Sequence, residues 1–126
     1  NVIINGVSES AGSNAMDLDA DNRVHLVFEE AGELWYTNKT MLLGSWRTPV
    51  LLDIESNGLV ASAGNGQQLD GVVDSNYQYH IGYTEMDPDG NLALKYTYLP
   101  DVRVSVPEWT GPFEIDGLTS SARMTL

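Results

Sequence analysis

The fold is decided by a stretch of thirteen residues that occurs twice in the chain. Residues 18–30 read LDADNRVHLVFEE, and residues 73–85 read VDSNYQYHIGYTE. Alignment at an offset of 55 residues brings four pairs together: Asp19 with Asp74, His25 with His80, Phe28 with Tyr83, and Glu30 with Glu85. Similarity at a fixed spacing indicates a protein built from copies of one supersecondary unit.

The similarity continues beyond this stretch. Tyr36-Thr37 corresponds to Tyr96-Thr97 at an offset of 60 residues, and Trp46 corresponds to Trp109 at an offset of 63. The five additional residues of the second copy lie at 86–90, where Met-Asp-Pro-Asp-Gly predicts a turn insertion. The order Asp, His, Tyr-Thr, Trp, Pro, Asp is the same in both units, so chance similarity is a poor explanation.

Each copy is predicted to contain four short strands. The second strand gives the clearest signal, because apolar and aromatic residues alternate there with a period of two. The predicted strands of the first copy are residues 15–18, the segment around His25, 33–38 and 49–54, and those of the second copy are 69–73, the segment around His80, 91–98 and 112–115. Turn-forming residues separate them, as at 21–22, 31–32, 56–58 and 87–90. No segment shows a sustained helical period, so the predicted class is all-β.

Tandem units of four strands are typical of β-propeller blades. The runs LDADNRVHLVFEEAGELWYTNKT and GSWRTPVLL, within residues 18–52, resemble blades of the sialidase-like, BNR-type propeller superfamily. Such blades often read Asp-x-x-Gly-x-x-His, then an apolar strand, Leu-x-Tyr and Ser-Trp. The resemblance covers roughly residues 13–116 and implies blade architecture. It implies no particular activity, and an intact Asp-box, Ser-x-Asp-x-Gly-x-x-Trp, is missing from both copies.

The predicted fold is therefore a single unit, residues 1–126, of two four-stranded antiparallel blades, with repeat 1 at about 13–58 and repeat 2 at about 69–121. A closed propeller needs at least four blades, and two blades alone would leave sheet faces and edges open. Either the two repeats belong to a longer tandem array, or several chains assemble one ring. Residues 1–6 and 122–126 resemble fourth-strand and first-strand segments, which suits strand exchange between neighbours. The chain is similar in repeat number to two-blade fucose-binding lectins that trimerise into six-blade rings, so a homotrimer is the favoured partner state.

Composition excludes several functions. The chain has 126 residues, with 18 acidic and 6 basic side chains and a formal net charge of −12. This charge opposes binding to nucleic acid or to an anionic membrane. No cysteine is present, which excludes disulfides, thiolate zinc sites and a cysteine nucleophile. No apolar run approaches the ~18 residues of a membrane span. The acidity favours an extracellular, surface or virion-associated location over the cytoplasm.

The tryptophans are the best candidates for ligand binding. Trp35, Trp46 and Trp109 can stack on the apolar face of a sugar, and Arg47 and Glu30 can hydrogen-bond its hydroxyls. The alternative is that these indoles pack between the blades, as aromatic residues shared by repeats usually do.

The histidines and the acidic turns are predicted to be structural. His25 and His80 occupy equivalent blade positions, too far apart around a ring to share one ion, so each is expected to hydrogen-bond a strand carbonyl or a carboxylate between blades. The alternating acids at 17–22 and the run 87–91 each match half of a calcium loop, and both are expected to be turns that cap backbone amides. No metal or cofactor is predicted.

Catalysis has little support in the sequence. The resemblance to sialidases implies three arginines around a carboxylate, but the four arginines here lie at unrelated repeat positions. No phosphate loop and no nucleophile elbow is present. The favoured hypothesis is a non-catalytic propeller module that self-assembles and binds carbohydrate. Two alternatives stay open: a structural or assembly protein, and a fragment of a larger sialidase-like enzyme.

Overall fold

Two antiparallel β-sheets make up the part of the chain that the computed structural model describes, which is residues 14–30, 32–39, 44–52, 59–60, 69–86 and 92–118. Consecutive strands of the first sheet lie side by side: β1 (Asn14–Leu18), β2 (Val24–Glu30), β3 (Glu33–Lys39) and β4 (Val50–Leu51). No helix occurs in these ranges, so the predicted all-β class is confirmed.

The second sheet repeats this order with one addition. Its strands are β5 (Leu59–Val60), β6 (Leu69–Val73), β7 (Tyr79–Met86), β8 (Leu92–Leu99) and β9 (Thr110–Leu118). Both β5 and β6 pair with β7, whose next neighbour in the sheet is β8, and β9 follows β8. The sheet is thus four strands wide, and the first position is shared by two strands. The sequence did not predict β5.

Strand registers match between the sheets, residue for residue. Asn14 pairs with Phe28 in the first sheet, as Leu69 pairs with Tyr83 in the second. The β2–β3 and β3–β4 pairings recur in the same way: Val27 with Tyr36 as Gly82 with Tyr96, and Tyr36 with Val50 as Tyr96 with Phe113. The corresponding residues of the two sheets are separated by 55, 60 and 63 residues, which are the offsets of the sequence alignment. The predicted repeat alignment is therefore confirmed.

The turn before the second strand is also repeated. Asn22 and Tyr77 occupy the same position in the two copies, and both have a positive φ, 61° and 62°. The amide of Asn22 donates to the carbonyl of Asp19, and that of Tyr77 donates to the carbonyl of Asp74. Asparagine tolerates this left-handed conformation, whereas a bulky tyrosine adopts it rarely. The turn geometry is therefore kept even where the residue suits it poorly.

The main core lies between the two sheets. In the first sheet, the face that carries His25 also carries Ala15, Val27 and Tyr36; we call this kind of face the histidine face. Its opposite, the tryptophan face, carries Leu26 and Phe28 with Trp35 and Trp46 packed against them. In the second sheet the corresponding residues are His80 and Tyr96 on the histidine face, and Tyr79, Ile81 and Tyr83 on the tryptophan face.

The histidine face of the first sheet packs on the tryptophan face of the second. Every side chain from Val24 to Glu29 is buried as a result, although the alternating sequence predicted only one buried face. One side of β2 is covered by the second sheet, and the other side by its own tryptophan cluster. The core is thus an interface between two copies of one unit.

Most predicted strands are confirmed, and the fourth strand of each copy differs in length. The segment predicted at 49–54 contains only Val50–Leu51 as strand, and residues 53–54 lie outside the described ranges. The segment predicted at 112–115 extends over Thr110–Leu118. The predictions for residues 1–6, 56–58, 87–91 and 122–126 also fall outside the described ranges.

Candidate functional site

A buried hydrogen-bonded network joins an aspartate, a histidine and a tyrosine in the first sheet. Nε2 of His25 lies 2.8 Å from Oδ2 of Asp19, and Nδ1 of His25 lies 2.7 Å from the hydroxyl of Tyr36. The side-chain amide of Asn38 donates to the same hydroxyl at 3.2 Å. Oδ1 of Asp19 accepts the amides of Asp21 and Arg23, which closes the turn before β2. The network thus fixes the turn, β2 and β3 to one another.

The hydrogen-bond partners assign the protonation of this network. Burial raises the pKa of Tyr36 to about 12, so its hydroxyl keeps its proton and donates to Nδ1 of His25. His25 then carries its proton on Nε2 and donates to Asp19. Burial lowers the pKa of His25 in spite of the nearby carboxylate, which keeps the ring neutral.

Asp19 remains ionised within this network. Its burial opposes ionisation, but the hydrogen bonds from His25 and from two backbone amides outweigh that effect, and the pKa of Asp19 is lowered. The network therefore holds one negative charge with every donor directed towards it.

The same network recurs in the second sheet. Nε2 of His80 lies 2.8 Å from Oδ2 of Asp74, and Nδ1 lies 2.6 Å from the hydroxyl of Tyr96. Oδ1 of Asp74 accepts the amides of Asn76 and Gln78. The hydrogen bond from His80 lowers the pKa of Asp74, as do the two amides. The Asp–His–Tyr hydrogen bonds are therefore part of the repeated unit and not a feature of one site.

A threonine beside each network tyrosine makes a further repeated hydrogen bond on the opposite face of the strand. The hydroxyl of Thr37 donates to the carbonyl of Arg47, and that of Thr97 donates to the carbonyl of Thr110, at 2.6 and 2.7 Å. Each bond ties β3 or β8 to the segment that enters the fourth strand. In each repeated Tyr-Thr pair, the tyrosine thus bonds the histidine on one face of the strand, and the threonine bonds a backbone carbonyl on the other.

The two copies of the network differ in one hydrogen-bond partner, since Tyr98 occupies the position from which Asn38 donates to Tyr36 in the first copy, and they differ in solvent access. The His25 side chain is 0% exposed, whereas that of His80 is 25% exposed. The second sheet covers the first copy: the Trp109 ring lies 5.5 Å from that of Tyr36 at 78°, and the Tyr79 ring lies 6.2 Å from it at 61°. The hydroxyl of Tyr79 also donates to the carbonyl of Ala15 at 2.8 Å.

The uncovered histidine face of the second sheet carries a group of stacked aromatic rings. The rings of His80, Tyr96 and Tyr98 lie 5.8–6.0 Å apart, at 12–29° to one another. Phe113 continues the group, 6.3 Å from Tyr96 at 28°. In the first sheet the place of Tyr98 is taken by Asn38, as the strand register shows. The open face is thus more aromatic than the covered one.

Trp109 is a packing residue. It is 7% exposed and contributes to the core between the sheets, in contact with rings from both. A ring buried to this degree offers no face to a sugar. Of the two alternatives raised by the sequence, the position of Trp109 supports packing.

Trp46 and Trp35 are placed differently. Both are half-buried, and both pack against Leu26 and Phe28 on the tryptophan face of the first sheet. Nζ of Lys39 lies 5.4 Å from the centre of the Trp46 ring, within the range of a cation–π contact. The strand register puts Glu30 on the same face as Trp35, and Arg47 is exposed beside Trp46. The structure therefore brings three of the five sequence-predicted binding residues to one face.

The histidines and Asp19 have the structural roles expected of them, with one difference. Each histidine hydrogen-bonds a carboxylate, but the carboxylate belongs to its own repeat and not to a neighbouring blade. The side chain of Asp17, in contrast, does reach across, since its Oδ2 accepts the amide of Val73 at 2.8 Å. Among the residues that the structure describes, no group of three acids or histidines is placed to hold a metal ion.

Sequence reasoning missed the tyrosine that completes each network. The signal was present, because Asp, His and Tyr recur together at equivalent positions in both copies. What the sequence did not show is that a tyrosine sixteen residues after one histidine, or eleven after the other, returns to its ring. Strand pairing in the hairpin produces that proximity.

Comparison with known proteins gives no assignment. No family model matches the sequence, and no curated protein is significantly similar to it. Within the described ranges, no helix is long and apolar enough to cross a membrane.

Proposed function

We propose that the chain is a non-catalytic β-propeller module whose two sheets are neighbouring blades and which works by associating through its sheet faces. The observation that carries this proposal is the duplicated Asp–His–Tyr network, of which one copy is sealed by the next sheet and the other is open. A repeated unit that buries its histidine face against the following unit is the way stacked blades form a core.

The geometry favours a structural role for the network over a catalytic one. An Asp–His pair resembles the acid–base pairs of hydrolases, but the His25 ring is fully buried and both of its nitrogens are engaged. In the second copy both nitrogens of His80 are engaged in the same way. Equal geometry in a sealed and an open position supports a structural role for the network.

Association is the function that the open faces support. Large apolar side chains such as Met16, Leu18 and Val72 are exposed on them. In the expected assembly, three copies close a ring of six blades, which leaves no sheet face uncovered. The net charge of −12 per chain opposes this assembly, so salt should strengthen it.

Sedimentation velocity at micromolar concentration, in low and in high salt, tests this function. We expect a species heavier than one chain whose population rises with salt, and three chains per particle if the ring closes. A folded monomer in both conditions would contradict the proposal.

Carbohydrate binding is a second candidate, favoured by Trp35 and Trp46 on one half-exposed face with Glu30 and Lys39 beside them. A glycan array probed with the wild-type chain and with Trp46→Ala tests it. We expect sugar binding to be lost in Trp46→Ala, and an array with no signal for the wild-type chain would exclude this candidate.

A further inference from the structure

Two sheet faces of the chain lack the partner that their equivalents have. The histidine face of the first sheet is covered by the tryptophan face of the second. The tryptophan face of the first sheet and the histidine face of the second have no such cover among the described residues. The two uncovered faces are of opposite kinds, so together they form a complementary pair.

Exposure of equivalent residues marks these faces clearly. Leu18 and Val73 occupy the same position in the repeat; Leu18, on the uncovered face, is 45% exposed, and Val73, on the covered one, is 9% exposed. Trp46 is half-buried where its equivalent Trp109 is buried. The covered copy thus shows what a partner would do to each open residue.

The uncovered faces are also matched in chemistry. Where the sheets meet within the chain, Asp17 accepts a hydrogen bond from the amide of Val73. The repeat equivalents of these two residues are Val72 and Leu18, which are both apolar and both exposed. On the open faces an apolar side chain, Val72, thus replaces the carboxylate of this contact, and the exposed side chains of Val72 and Leu18 favour burial against a partner.

The position of the tryptophan extends the match. Within the chain, Trp109 places its ring edge-on against Tyr36. Trp46 is the equivalent of Trp109, and Tyr96 is the equivalent of Tyr36, held by the same histidine bond. An incoming Trp46 would therefore meet Tyr96 within the stacked aromatic group of the second sheet.

From these observations we infer that two copies of the chain dock head to tail: the tryptophan face of the first sheet of one copy packs on the histidine face of the second sheet of another. This inference rests on the proposed function, because it specifies which faces associate. The interface is heterologous, with different residues contributed by each side. Every copy keeps one free face of each kind, so further copies add until a ring closes.

Three matched variants test the inference. Leu18→Glu places a charge on the tryptophan face, Val72→Glu places one on the histidine face, and Val106→Glu changes an apolar residue that is 72% exposed in the loop before β9. All three positions are exposed and all three changes add one negative charge, so differences between them report location. Circular dichroism and urea unfolding establish that each variant is folded.

Sedimentation in high salt gives the readout. We expect Leu18→Glu and Val72→Glu each to weaken association by about tenfold or more, and Val106→Glu to behave as wild type. Leu18→Glu retains an intact histidine face and Val72→Glu an intact tryptophan face. A mixture of the two is therefore expected to form a complex of two chains that grows no further.

The outcomes separate this inference from the proposed function. Wild-type association that both face variants leave unchanged would overturn the head-to-tail docking and leave the associating module in place. Face variants that dissociate but fail to form the two-chain complex when mixed would also overturn the pairing of opposite faces. A wild-type chain that stays monomeric would overturn both, and sugar binding lost in Trp46→Ala would then assign the tryptophan face to carbohydrate.

Discussion

Replacement of Tyr36 by Phe tests whether the sealed network stabilises the fold. The change removes one hydroxyl and keeps the ring, its packing and its edge-on contact with Trp109. The hydroxyl donates to Nδ1 of His25 at 2.7 Å and accepts from the side-chain amide of Asn38 at 3.2 Å. Both of these partners are buried, so no bulk water reaches the vacated position.

The expected loss follows from those two contacts. A buried polar group left without its partner costs about 1–3 kcal/mol, and two such groups arise here. A change of tautomer gives no relief, because a proton moved to Nδ1 of His25 would leave an unprotonated Nε2 facing the carboxylate of Asp19. We expect Tyr36→Phe to lower the free energy of unfolding by at least about 2 kcal/mol, which is the sum of the two lower limits.

Tyr96→Phe is the matched control. It removes the equivalent hydroxyl, 2.6 Å from Nδ1 of His80, in the copy that solvent reaches and in which Tyr98 replaces Asn38. Water can replace the lost partner there, so we expect a loss of about 1 kcal/mol or less. Both variants are compared with wild type by urea unfolding at neutral pH, with dilute protein in low salt, where the proposed association is weakest.

The difference between the two variants is the decisive quantity. Equal losses in Tyr36→Phe and Tyr96→Phe, with an unchanged slope of unfolding free energy against urea concentration, would show that neither the cover supplied by the second sheet nor the additional contact with Asn38 matters. A larger loss in Tyr96→Phe would show that the open copy of the network carries the stability instead.

Three further predictions concern the core between the sheets. Because burial lowers the pKa of His25 below 6.5, the unfolded chain binds a proton at pH values where the native chain does not. The free energy of unfolding should therefore fall as the pH drops from about 6.5 towards the native pKa, by at most about 1.4 kcal/mol per pH unit for this group. Thermal unfolding between pH 7.5 and 4.5 measures this slope, and His25→Gln should lack the contribution. Gly71→Ala should lower the free energy of unfolding, measured in urea, by about 1–3 kcal/mol, since a Cβ there would lie 2.6 Å from Cδ1 of the fully buried Ile81. Stability equal to wild type would show that the core rearranges to accept the methyl group. Trp109→Ala should cost about 3–5 kcal/mol and Trp46→Ala clearly less, because only the former ring lies between the sheets, and a reversed order in the same assay would contradict the assignment of faces.

Much of the fold was predictable because its signals are local. Strand positions and registers within a repeat depend on the alternation of apolar and polar residues and on the turns between the strands, and both patterns occur in each of the two repeats. The alignment of His25 with His80 is therefore enough to predict two sheets with corresponding strands. The exception is β5 at Leu59–Val60, two residues without a counterpart in the first sheet and too short to give a periodic signal.

The site was predictable only in part. The sequence predicted that each histidine hydrogen-bonds a carbonyl or a carboxylate and that acids of the first turn cap backbone amides, and His25 and Asp19 make such bonds. It did not connect His25 with Tyr36, because eleven residues of separation become a 2.7 Å contact only when β2 and β3 pair. It also grouped Trp109 with Trp46, which the structure separates into a buried and a half-buried position.

Local sequence patterns specify the repeated unit: its strands, its registers and the residues that recur in it. Which copy of each residue is covered depends instead on how the two sheets pack. His25 and His80 occupy equivalent positions in the repeat and make equivalent hydrogen bonds to an aspartate and a tyrosine, yet one is sealed and the other is open to solvent. The physical reason is that burial depends on the order in which units stack, and stacking gives the first histidine face a neighbour while the second has none among the described residues.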